Sequence, residues 1–144
     1  MKMSNNHLLI LKHLRNNGRK SFSNISRDTG IPVTTVFDNY KKFKDNGIIT
    51  KHILLLDFKK LGFHFRSFIF IKTKDKKDVL RYLNDHHNVN SLYRISTYDY
   101  LVDAIFPTIK EFYFFLDDIT QFNIIRLETH DVVEQIKNEE FFCE

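Results

Sequence analysis

Between Val33 and Asn46 the residues Thr34, Thr35, Phe37, Asp38, Asn39, Lys41 and Lys42 combine hydroxyl, carboxylate, amide and ammonium groups in a short run. This is the chemistry that reads a nucleic acid: aspartate accepts from cytosine N4, asparagine pairs with adenine, and lysines suit backbone phosphates. At roughly 100° per residue, a buried stripe of Val33, Val36, Tyr40 and Phe43 turns Thr34, Thr35, Asp38, Lys41, Lys42 and Asp45 outward, with Phe37 and Asn39 on the flanks. The N-terminal residues of such a helix go deepest into a major groove, so Thr34, Thr35 and Asp38 face bases and Lys41 and Lys42 face phosphates. Arg19, Lys20 and Arg27 add cations that suit further phosphate contacts.

Net charge over the 144 residues is only +4, but it is unevenly spread. Residues 1–60 hold 12 Lys and Arg against 4 Asp and Glu, and the remainder holds 10 against 14. A polyanion partner for the first part is the direct implication, the alternative being a solvated basic surface. No apolar run is long enough to cross a bilayer, and MKMSNNHLLILKHLRNN interrupts its apolar residues with Lys12 and His13, unlike a secretory signal. A cytoplasmic protein is expected. The single cysteine, Cys143, allows no internal disulfide and no cysteine metal site.

The candidate residues need a scaffold. Ile10, Leu8, Leu11 and Leu14 fall on a helical period between Ser4 and Gly18. A two-turn helix follows the Ser21/Ser23 caps, buries Phe22 and Ile25, and stops at Gly30 ahead of Pro32. The third helix ends at Gly47. Three helices with a tight middle turn make a helix-turn-helix over residues 1–50.

Residues 51–62 complete IITKHILLL and DFKKLG, a connecting strand or hinge. Over 63–133 the pattern is β-α-β-β-α-β. The strand FHFRSFIFIKTK is followed by a helix capped by Asp75, then by strands NVNSLYRIS and YLVDAIF. A helix opened by the Thr108/Glu111 capping box and a last strand in NIIRLETHDVV complete it. The fold class is α+β, a helix-turn-helix joined to a ferredoxin-like unit. With both helices on one face of the sheet, the other face, carrying Phe68 and Phe70 or their neighbours on the alternate face of the strand, is expected to bury against a second copy. The tail 134–144 is either loose or seated on a partner subunit.

GIPVTTV followed by GII, then LDFKKLGF and YDYLV, resemble the Lrp/AsnC family of transcriptional regulators over roughly residues 7–133. The resemblance implies a winged helix-turn-helix, a ligand-sensing dimerisation domain, and a homodimer that often assembles into tetramers or octamers. It also implies binding to double-stranded promoter DNA and response to an amino acid or similar small molecule. Asp38 and Asn39 replace the basic residues usual in mid recognition helix. Phe37 replaces a small polar residue and either meets a thymine methyl or packs on the flank. The effector turn maps to Ser96, Thr97, Tyr98 and Asp99. There Ser96 replaces a glycine, so that either the turn differs or the strain of a left-handed serine is tolerated, and Asp99 either holds an amino group or stabilises the turn.

Two rival readings stand beside this one. One is an architectural protein that wraps DNA with little sequence selection. The other follows tetrapyrrole decarboxylases related to the fold, for which His86, His87, Arg81 and Arg94 would be the candidates. The substrate-binding sequence of those enzymes is missing, the histidines lack ligand spacing for a metal, and no Gly-rich phosphate loop exists, so no enzyme activity and no cofactor are expected.

Overall fold

The computed structural model describes residues 2–142. It divides into two compact units: residues up to Leu55 together with those from Ile136 onward, and Leu56–Gln135. Cys143 lies outside the described residues.

The first unit contains α1 (Asn5–Asn16), α2 (Phe22–Thr29) and α3 (Val33–Asp45). Ser4 caps α1 by accepting from His7 N–H, and His7 Nδ1 returns the bond by accepting from Ser4 N–H, so histidine fills the place where Glu or Gln is usual. α2 is capped by Ser21 and closes on Gly30, whose φ of 72° and N–H bond to Ser26 O form a left-handed stop. Ile10, Leu14, Ile25, Ile31, Val36 and Phe43 make the core. Leu8 lies outward on α1. Residues 50–57 carry no strand, because a strand needs an edge to pair with and none is offered there.

The second unit is a four-stranded antiparallel sheet in the order β2-β3-β1-β4, from β1 (Phe65–Thr73), β2 (Val89–Arg94), β3 (Tyr100–Phe106) and β4 (Ile124–Asp131), with α4 (Lys76–Asp85) and α5 (Ile109–Thr120). Ile69, Ile71, Val102, Ala104 and Phe106 bury one face against Val79 and Leu83 of α4 and Phe112, Phe115 and Ile119 of α5. The alternation of β1 puts Arg66, Phe68 and Phe70 on the other face. There Arg66 holds Asp103 through two bonds of 2.7 Å, and Asn90 Nδ2 donates to the same carboxylate at 2.7 Å.

Asp75 departs from its expected role: it makes no side-chain cap on α4. Its carboxylate instead accepts from Asn123 N–H at 3.0 Å and from Asn123 Nδ2, tying the entry of α4 to the start of β4 and holding its pKa below the usual value. At one end of the sheet, Leu56–Lys59, Phe63–Arg66 and Val132–Gln135 surround a cleft of about 280 Å³.

Ser67 faces the helices, is fully buried, and its Oγ has no protein hydrogen-bond partner among the described residues. Ser67→Ala is therefore expected to leave urea stability unchanged or raise it by up to about 1 kcal/mol. Asp103→Ala, which strands the largely sheltered Arg66 guanidinium, should cost about 3 kcal/mol in the same titration.

Candidate nucleic-acid interface

The turn that aims α3 is locked by local bonds. Thr29 Oγ1 donates to Ile25 O at 2.7 Å and accepts from Ile31 N–H at 3.3 Å, while Ile31 is buried beneath it. Pro32 then opens α3 without a side-chain cap, and no acidic residue stands in the first turn. The first N–H groups of α3 are left without a side-chain acceptor, at the end of the helix that carries positive partial charge. An anion is favoured there.

The structure turns Thr34, Phe37, Asp38, Lys41 and Lys42 to solvent and leaves Thr35 half-buried. Among the described residues neither Asp38 nor any lysine of α3 is held in an ion pair. Their charges are therefore uncommitted. Phe37 is 52% exposed, and its ring meets Phe22 edge-on at 5.9 Å, so it packs on the flank of α2 with its outer edge bare.

Two expected contacts are corrected. Asn39 is only 6% exposed and shares the buried face with Val36 and Phe43, whereas Val33 is 43% exposed and Tyr40 only half-buried. The stripe is centred on Val36, Phe43 and Asn39, rotated away from Val33, and Tyr40 lies aside, 5.0 Å from Phe22 and 3.1 Å from His52 Nε2. Asn39 thus faces the core and not a base. Lys20 is also withdrawn: its Nζ lies 2.6 Å from Asp28 and 2.9 Å from His13 Nδ1, linking α2 to α1. That hydrogen bond holds the Asp28 carboxyl below its usual range. Arg27 bonds Asn24 at 2.8 Å with its guanidinium still largely in solvent, and Arg19 is exposed. Lys44, in the last turn of α3 and 6.0 Å from the Tyr40 ring centre, is a further exposed cation that the run Lys41-Lys42-x-Lys44 could have signalled.

At Ser96–Asp99 the turn itself differs from the family's glycine turn, the first of the two alternatives that Ser96 left open. Thr97, not Ser96, takes the positive φ, at 74°, and Tyr98 N–H donates to Ser96 O at 2.9 Å, the bonding of a γ-turn centred on a β-branched residue. Asp99 anchors it: Oδ2 accepts from Thr73 N–H at 2.9 Å and Oδ1 lies 2.7 Å from Lys76 Nζ. The lysine first, then the backbone N–H, hold the Asp99 carboxyl below the usual carboxylate value. The Tyr98 ring lies 5.4 Å from Phe70 and 5.2 Å from the Arg126 guanidinium, beside the Arg126–Glu128 pair. Restricted solvent and the Glu128 carboxylate push its phenol up.

His86 and His87 stack at 4.9 Å, but His86 also packs edge-on against Phe115 at 4.7 Å and its Nδ1 accepts from Asn88 N–H. Burial lowers its pKa. It is part of the aromatic layer. Among the described residues no group of three or more His, Cys, Asp or Glu could hold a metal, and no helix is long and apolar enough to cross a membrane.

Comparison with known proteins agrees with this geometry. A family model described as winged helix-turn-helix DNA-binding matches residues 3–50. The HTH-type transcriptional regulator Ptr1 of Methanocaldococcus jannaschii is 33% identical over 106 residues, 72% of each chain. Two solved structures agree in fold. AsnC of E. coli has a TM-score of 0.84 at 24% identity over 96% of this chain and 97% of that one. The regulator NMB0573 of Neisseria meningitidis, solved as an L-Met complex, has 0.87 at 22% over 95% and 94%. With its three-helix unit, its βαββαβ sheet and these relatives, the chain belongs to the Lrp/AsnC family of helix-turn-helix DNA-binding transcriptional regulators.

Proposed function

We propose that the chain is a cytoplasmic homodimer whose paired α3 helices select operator sequences, with the sheet unit sensing an amino acid or similar small molecule. The observation that carries this reading is the outward face of α3. Thr34, Asp38, Lys41 and Lys42 stand exposed, and unpaired among the described residues, on a helix whose opposite side is fixed in a core. Thr34, Thr35 and Asp38 face base edges, and Phe37 presents its bare edge beside them. Lys41, Lys42, Lys44, Arg19 and Arg27 supply phosphate contacts.

The half-buried Phe68 and Phe70 on the open sheet face support self-association, since a one-sided sheet leaves apolar surface that a second copy covers. Effector sensing is assigned to Ser96–Asp99 with Tyr98 and Phe70 as its aromatic wall. The L-Met complex of NMB0573 motivates the choice of an amino acid. Asp99 already engages Lys76, so an incoming ammonium must displace that lysine.

Lys41→Ala with Lys42→Ala should weaken binding to all DNA sequences and lower the slope of log K against log salt by about 2, while Asp38→Ala should change the ranking of sequences. If the double variant binds and ranks DNA like the wild type, the assignment of this face fails. Phe68→Glu with Phe70→Glu should shift sedimentation from dimer to monomer at micromolar concentration; an unchanged dimer removes the open face as the interface.

Asp99 gives a pH signature. Its folded-state pKa lies below the ordinary carboxylate value, so its stabilising contribution is complete above that value and fades as pH falls through the depressed one. Asp99→Asn should flatten the acid limb of stability against pH below about pH 4, and leave the profile above pH 5 parallel to the wild type.

A further inference from the structure

Arg15, in the last turn of α1, directs its guanidinium at the chain's own C-terminal segment within the helical unit. Nη2 donates to Glu139 Oε2 at 2.6 Å and to Glu139 O at 3.1 Å, and Nε donates to Phe141 O at 3.4 Å. Phe141 and Phe142 border a cleft of about 410 Å³ whose other walls include Leu11, Leu14, Ile49 and His52. The segment follows this surface through its backbone and Glu139, with Phe141 87% exposed and Phe142 36%, and Glu139 and Phe142 both take positive φ, 53° and 67°, conformations that cost a non-glycine residue about 1 kcal/mol or more and persist where surrounding contacts hold them.

We propose that residues 139–142 are an intramolecular ligand of the helix-turn-helix unit, an acidic and aromatic latch that seats on α1 and the segment after α3 and weakens the unit's hold on DNA. The electrostatic sign follows from the residues. Glu139 neutralises Arg15, and Glu140 enters with it, paired among the described residues to Lys137 at 3.7 Å. Two carboxylates are thereby added to a surface whose attraction for DNA is a sum over its cations, and at physiological salt the effect reaches about 8 Å. DNA then favours the undocked segment, and docking disfavours DNA by the same factor. This effect on affinity rests on the reading that the helical unit binds DNA; the docking itself does not.

The chain's one cysteine, Cys143, follows Phe142 and accepts a nitroxide on the full-length protein. Amide signals of Leu11, Leu14 and Ile49 should broaden, and should stay broadened when the labelled chain is diluted into excess NMR-silent chain. Glu139→Gln should relieve the broadening, whereas Glu140→Gln, an identical charge change away from Arg15, should preserve it. At one salt concentration Glu139→Gln should bind DNA about threefold tighter than Glu140→Gln. Absence of broadening overturns the docking, and broadening lost on dilution assigns the segment to a second copy and overturns the intramolecular latch. Equal DNA affinities of the two variants overturn its effect on binding. If no variant binds DNA, the reading of the helical unit fails together with that effect, while the broadening still judges the docking.

Discussion

The rotation of α3 about its own axis is the constraint on which the interface depends. Val36 and Phe43 are fully buried against Ile10 and Ile25, and a helix held at two points seven residues apart cannot turn without exposing one of them. The same packing that stabilises the unit therefore decides which side chains meet solvent. Asn39 is taken inward and Thr34, Asp38, Lys41 and Lys42 are put out. Losing one fully buried phenylalanine costs about 3–5 kcal/mol, far more than any single exposed charge contributes, so the hydrophobic stripe wins any conflict over rotation.

The sheet unit works by layering. One face spends its apolar side chains on α4 and α5, and the other has a polar centre, Arg66 and Asp103, set among half-buried aromatics. A buried pair of this kind adds little net stability, because the Coulombic gain is offset by desolvation. Its directional bonds do fix neighbours, however: Asn90 of β2 and Gln135 beyond β4 both bond to the pair.

The order of elements was legible because each carries its own local signal: a period, a cap, a glycine stop. Gly30 needed only its sequence neighbours to be read as a stop, and β1 only its alternation. The departures share a different cause, since each depends on contacts outside the element's own period. Lys20 reads as a free cation until Asp28 and His13 fold around it, and Asp75 reads as a cap until Asn123 arrives from 48 residues away. Asn39 is polar, and a period alone cannot show that Val36 and Phe43 fix the rotation so that Asn39 turns inward while Tyr40 lies aside toward His52. At Ser96–Asp99, a resemblance locates the place where left-handed backbone occurs only to within a residue, and the bond from Tyr98 to Ser96 puts it on Thr97.

β1 and β4 are neighbours and antiparallel, with Ser67 opposite Asp131 and Val132 N–H bonded to Arg66 O. The chain consequently enters and leaves the sheet unit at one place, around the cleft bordered by Leu56–Lys59 and Val132–Gln135. Topologically the sheet unit, Leu56–Gln135, is an insert with adjoining ends between two stretches that belong to the helical unit. Such an insert can be exchanged or enlarged without rerouting the chain that flanks it, so that the sheet unit and the helical unit can diverge at separate rates.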